Sequence, residues 1–228
     1  MARTVSLLES GMRYALIVSL IGLACSSPAA APADAPSSQP GGAQAPPPAA
    51  APEGLAVATF AGGCFWCMEA PFDKTPGVVS TTSGYTDGHK KDPKYKEVGA
   101  GKTGHTEGIR VVFDPEKVTY AQLLDIFWHN IDPAQAGGQF CDRGPMYRTG
   151  IYFHDAAQKK AAEDTKAKVA AKLGVTVVTD IKAATVFYPA EDYHQDFYKK
   201  NPGHYQRYRT GCGRDRRLKE IWGASAGH

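Results

Sequence analysis

The chain has no basic run of five or more and no apolar run long enough to cross a bilayer. It also has few cysteines, 5 in 228 residues. A net charge of only +3 gives no ground for expecting a polyanionic partner. The N-terminal apolar run, Tyr14 to Ala24, has 11 residues. That reaches about half of the ~30 Å hydrocarbon core, so it is no spanning helix. Five cysteines are too few for a disulfide scaffold and too many to ignore. Apolar residues at 43% and charged residues at 21% are ordinary for a globular protein. A nucleic-acid-binding protein, a transmembrane channel and a collagen-like fibre are thereby excluded.

What is present divides the chain in three. Residues 1–24 carry Arg3 and Arg13 ahead of the short apolar run, the layout of an export signal. The run ends at Gly22-Leu23-Ala24-Cys25, which suits ordinary signal cleavage. It also resembles a lipoprotein signal, in which Cys25 becomes the lipid-bearing first residue. Residues 25–54 form a linker: of the 29 residues from Ser26 to Gly54, 10 are Ala and 8 are Pro, and none is Leu, Ile, Val or aromatic. Such a segment buries too little apolar area to offset its ordering entropy, and its prolines make it a semi-extended tether. Residues 55–228 are left as one folded domain.

Within that domain the patterning alternates between strand and helix. Ala56 to Phe60 reads as a strand entering Ala61-Gly62-Gly63, followed by a helix over Cys64 to Phe72. Val78 to Tyr85 and Glu107 to Phe113 read as strands, the second with Ile109, Val111 and Phe113 on one face. Thr119 and Gln122 form a capping box. Behind it, Tyr120, Leu123, Leu124, Phe127, Trp128 and Ile131 share a helix face. Thr149 to Phe153 is a strand, and a helix capped by Asp155 runs to Leu173 before Gly174. Further strands are expected at Val175 to Thr179 and Thr185 to Tyr188, and a short helix at Asp192 to Lys199. From Asn201 the chain reads as a loop-rich tail, with Arg214 to Lys219 solvated. The fold class implied is α+β, a two-layer α/β sandwich.

The chemistry concentrates in Gly62-Gly63-Cys64-Phe65-Trp66-Cys67-Met68-Glu69. A cysteine that opens a helix meets unpaired amides and positive dipole, which favour its thiolate and make it a nucleophile. Phe65 and Trp66 supply an apolar wall beside the sulfur.

Gly63-Cys64-Phe65-Trp66 resembles the active-site signature of the peptide methionine sulfoxide reductase A family. So do, in the family's order, Ser83-Gly84-Tyr85, Thr103-Gly104-His105-Thr106-Glu107, Phe113-Asp114-Pro115 and Asp132-Pro133. Asp142 with Tyr147, Gly150-Ile151-Tyr152 and His194-Gln195 continue the match, which covers about residues 56–205. The resemblance implies a ferredoxin-like plait core with extended loops and a C-terminal tail. It implies reduction of methionine S-sulfoxide, free or protein-bound, with no cofactor and no metal. Cys64 would attack the substrate sulfur, with Glu107 as the acid and Tyr85 and Tyr147 as hydrogen-bond donors to the departing oxygen. Phe65 and Trp66 would hold the S-methyl group, and Asp142 would orient substrate and water.

Attack would leave Cys64 as a sulfenic acid, which a second cysteine converts to a disulfide for a thioredoxin-like dithiol to reduce. Here the chain departs from the commonest family pattern, with Cys67 in place of glycine and Gln206 after Tyr205. Cys212, between two glycines on a mobile tail, and Cys67, one helical turn from Cys64, are the resolving candidates, ahead of Cys141. Two other functions fit parts of the pattern. Cys64-Phe65-Trp66-Cys67 alone suits a thiol-disulfide oxidoreductase, and four domain cysteines suit a structural zinc site. The expected location is the bacterial cell envelope, with a lipid on Cys25 as the membrane attachment.

Overall fold

The computed structural model describes residues 51–227. The export signal, Cys25 and the linker up to Ala50 lie outside the described residues.

The first strand, β1 (Ala56–Gly62), is buried along nearly its whole length. It leads into α1 (Phe65–Asp73), β2 (Val78–Thr86), the short α2 (Tyr95–Gly99), β3 (Thr106–Phe113) and α3 (Tyr120–His129). A two-stranded hairpin follows, β4 (Gly138–Gln139) and β5 (Asp142–Arg143), then β6 (Thr149–Phe153) and α4 (Ala156–Leu173). The chain closes with β7 (Asp180–Ala183), β8 (Tyr188–Pro189), α5 (Phe197–Lys200), α6 (Pro202–Gly211) and α7 (Arg214–Trp222).

The main sheet runs β7-β6-β1-β3-β2-β8, with only β7 parallel to its neighbour. Its centre is a βαββαβ unit, β1-α1-β2-β3-α3-β6, in spatial order β6-β1-β3-β2. This is the expected ferredoxin-like plait. Phe60 of β1 shows what joins sheet to helices: its ring stacks on Phe72 of α1 at 5.1 Å and Phe127 of α3 at 5.2 Å. Ile109 and Val111 pair with Phe60 and Ala58 in register and extend that apolar face. Thr119 and Gln122 make the reciprocal capping box of α3, and Asp155 caps α4 through the Gln158 amide.

Three expectations fail, each because pairing or docking overrides local pattern. Val175 to Thr179 buries Val177 and Thr179 but pairs with no strand, because the Val178 amide bonds to Pro133 instead. The ladder to β6 begins only at Asp180, opposite Gly150. Thr185 to Phe187 is likewise unpaired, and β8 starts at Tyr188. The segment after Asn201 is helical rather than loop-rich. In α7, Arg214, Leu218 and Trp222 lie four residues apart on one buried face. That stripe is hidden in the sequence because its first anchor is an arginine. Arg214 is 1% exposed, so it is no part of a solvated tail.

Candidate active site

The turn from β1 into α1 needs its two glycines. Gly63 has φ +82°, and a Cβ there would stand 2.6 Å from Cβ of Gln139. At Gly62 a Cβ would meet Sδ of Met68 at 2.5 Å. This close approach seats Cys64 as the N-cap of α1 against β4.

Cys64 makes no side-chain cap hydrogen bond to its helix. The first amide, that of Phe65, donates instead to Oε2 of Glu107 at 2.9 Å. Glu107 reaches it from the end of β3, where it lies on the same face as Ile109, directly across from Tyr85 of β2. Burial drives the Glu107 carboxyl well above the ordinary range, against the lowering effect of the Phe65 amide, with Asp142 and Cys67 adding to the rise. Burial thus favours its protonated form, the form that can act as an acid.

Cys64 and Cys67 are both buried free thiols, and their side chains hydrogen-bond each other. The pair gives up its first proton readily and holds the second. Cys67 is lowered to about 6, chiefly by the Cys64 hydrogen bond, with Arg214 and Arg209 assisting against burial. Burial, then Cys67 and Glu107, push the Cys64 thiol up, while a hydrogen bond from Tyr208 pulls it down. The helix start alone suggested an acidic Cys64; in the fold, burial and the neighbouring acids reverse that. The other two cysteines, Cys141 and Cys212, form a disulfide with Cα atoms 5.0 Å apart. Cys212 is thus bonded to Cys141 in this structure, and Cys67 is the residue placed against Cys64. The four domain cysteines fall into two pairs rather than one four-sulfur set.

Aromatic side chains close the site. Phe65 lies 6.1 Å from the Tyr85 ring and 4.9 Å from His194. Trp66 stacks on Phe197 at 3.6 Å and donates its indole N–H to Nδ1 of His194 at 3.1 Å. His194, lowered by burial, is neutral and accepts there. Tyr85 donates to Oε2 of Glu191 at 2.8 Å, and the Tyr147 hydroxyl hydrogen-bonds with that of Tyr95. Burial raises both Tyr85 and Tyr147, which keeps them protonated donors. Asp142, on β5, accepts from Tyr208 at 2.7 Å.

The structure thus gathers Cys64, Cys67, Phe65, Trp66, Tyr85, Glu107, Asp142 and Tyr147 around the α1 N-terminus. Sequence reasoning missed Tyr95, Glu191, Tyr208 and Arg214. Arg214 is buried, donating to the carbonyls of Gly62 at 2.7 Å and Asn130 at 3.0 Å. Its guanidinium also lies 4.4 Å from the Phe140 ring centroid, and no acidic side chain pairs with it among the described residues. Only Tyr208 had a legible signal, its position one helical turn before Cys212.

Comparison with known proteins decides the family. Residues 56–226 match the family model described as peptide methionine sulfoxide reductase. The chain belongs to the peptide methionine sulfoxide reductase A family. A Bacillus subtilis peptide methionine sulfoxide reductase MsrA is 53% identical over 171 residues, covering 74% of this chain and 96% of that relative. A Listeria monocytogenes MsrA is 49% identical over 172 residues, covering 75% and 97%. Among solved structures, reduced Mxr1 of Saccharomyces cerevisiae is similar at TM-score 0.65 and 33% identity, covering 68% of this chain and 90% of that one. Methionine sulfoxide reductase A of Corynebacterium diphtheriae is similar at TM-score 0.61 and 34% identity, covering 66% and 77%. The protein is accordingly an oxidoreductase, and its activity is reduction of methionine sulfoxide.

Proposed function

We propose that Cys64 is the attacking sulfur, Glu107 the acid and Cys67 the resolving cysteine in the reduction of methionine S-sulfoxide. The observation that carries this is the buried Cys64–Cys67 hydrogen-bonded pair beside the buried Glu107 carboxyl, whose protonated form burial favours. The S-methyl group packs against Phe65 and Trp66, and Asp142 orients the substrate. The singly deprotonated pair attacks the sulfoxide sulfur through Cys64, whose proton passes to Cys67 across their hydrogen bond, while Glu107 gives its proton to the sulfoxide oxygen. Tyr147 and Tyr85 donate hydrogen bonds to that oxygen as charge develops on it, Tyr85 exchanging Glu191 for the substrate. Transfer of the oxygen releases methionine and leaves Cys64 as a sulfenic acid. The Cys67 sulfur then displaces water from Cys64, giving an intramolecular disulfide. A thioredoxin-like dithiol reduces it, becoming a disulfide itself and restoring both thiols.

Residues 1–24 act as an export signal, Cys25 carries a lipid, and the Ala/Pro-rich linker holds the domain off the membrane. The role is repair of oxidised proteins of the cell envelope. Recovery of the mature chain in the soluble cytosolic fraction, with an unmodified Cys25, would overturn this location.

The reaction is tested with one equivalent of methionine S-sulfoxide and no reductant. About one methionine per molecule is expected from the wild type, and none from Cys64→Ser or with the R epimer. Peptide mapping should find Cys64 bonded to Cys67. No methionine, together with rapid reduction of insulin disulfides, would favour a general thiol-disulfide oxidoreductase.

A further inference from the structure

The polar helix α6 buries none of its side chains completely, yet it sends Tyr208 into the site. The Tyr208 hydroxyl lies 2.7 Å from each oxygen of Asp142 and hydrogen-bonds with the Cys64 sulfur. Its ring stands edge-on to Trp66, centroids 5.8 Å apart. Tyr208 therefore touches the reacting atom, an aspartate of the site and the wall of the methyl pocket at once.

Its position is fixed through a closed circuit of bonds. Cys212 is the C-cap of α6, and its amide donates to the Tyr208 carbonyl at 2.8 Å. Cys212 is bonded to Cys141, and Cys141 is the chain neighbour of Asp142, which accepts from Tyr208. A covalent link and a hydrogen bond thus join the same two segments side by side.

We propose that Tyr208 is a further catalytic residue of the reductase, held against Asp142 and Cys64 by the Cys141–Cys212 disulfide. Its single O–H, donated to Asp142 in the resting site, turns to the Cys64 sulfur as negative charge develops there and to the oxygen-bearing sulfur after attack, without giving up its proton. The disulfide takes no part in electron transfer here; it sets where the phenol stands. This rests on Cys64 being the attacking sulfur.

The test is single-turnover methionine release from S-sulfoxide without reductant, in wild type, Tyr208→Phe and Cys141→Ala/Cys212→Ala. Tyr208→Phe keeps the ring against Trp66 and should slow release about 10- to 100-fold while still yielding one equivalent. Its pH profile for Cys64 alkylation by iodoacetamide should move upward, a change that loss of packing alone would not make. The double alanine variant should be slowed about 3- to 10-fold, and adding Tyr208→Phe to it should cost less than in wild type. A Tyr208→Phe rate within about twofold of wild type and an unmoved alkylation profile would overturn the assignment. Should the double variant fold poorly, Cys141→Ser alone opens the same bond and is read in the same way. A double variant as fast as wild type would overturn the tethering role. Absence of methionine from the wild type would instead fault the reading of Cys64, so the two failures are distinct.

Discussion

Glu107 accepts the amide proton of Phe65 at 2.9 Å, so a buried carboxyl from β3, and not the cysteine sulfur, takes the free N–H at the start of α1. The positive end of the helix is spent on holding an acid in place. The acid in turn lies close enough to raise Cys64 and to protonate an oxygen arriving there.

Replacing Glu107 with Gln should therefore lower the rate of methionine release on the order of 100-fold or more, with little change in fold. Glutamine keeps the acceptor for Phe65 but has no proton to give. Wild-type activity should fall as pH rises through the raised Glu107 value, because the proton is then lost. A pH–rate profile of the variant should lack that descending limb.

Cys67→Ser should leave the first turnover intact and abolish recycling. One equivalent of methionine is expected, with Cys64 trapped as sulfenic acid by a dimedone-type reagent. Steady-state turnover with a dithiol protein reductant should fall at least tenfold. Unimpaired turnover, with Cys64 mapped to Cys212, would return the resolving role to the tail.

Arg214→Met keeps much of the buried stem and removes the charge. Cys67 should then lose part of what holds it near pH 6, and its titration by ultraviolet thiolate absorbance should move up by roughly one unit. An unmoved midpoint would show that the Cys64 hydrogen bond alone sets it.

Glu69 gives a stability prediction with a definite sign. Burial raises its carboxyl from 4.5 to about 7 in the fold. Its contribution to stability is full below the unfolded value of 4.5 and is lost as pH climbs through about 7. Melting temperature should therefore decline between these values, by several degrees in all. Glu69→Gln should flatten that decline, and an identical slope in the two proteins would refute the cause.

The site divides cleanly between what was legible and what was not. Cys64, Phe65, Trp66, Tyr85, Glu107, Asp142 and Tyr147 could be located because they lie in a strand-to-helix turn or in motif segments of fixed order. Arg214 could not, since a buried arginine at the head of a polar helix looks like a surface charge. Glu191 and Tyr95 could not, because they enter through long-range contacts: Glu191 bonds Tyr95 and Tyr85, 96 and 106 residues away, and Tyr95 bonds Tyr147.

Local pattern along the chain sets the order of the core strands and helices, the capping of α3 and α4 and the glycine turn before Cys64. These depend on neighbours within a few positions, through the 3.6 and 2 periodicities and through φ > 0 at Gly63. Tertiary structure alone decided the cysteine pairing, because a disulfide requires Cα atoms within about 7 Å whatever their separation along the chain. Cys141 and Cys212 meet at 5.0 Å across 71 residues, and this leaves Cys64 with Cys67. The packing of α6 and α7 then brought Tyr208 to the Cys64 sulfur and Arg214 within electrostatic reach of Cys67. Burial settled the rest, raising Glu107 and Cys64 by removing the water that would have stabilised their charge.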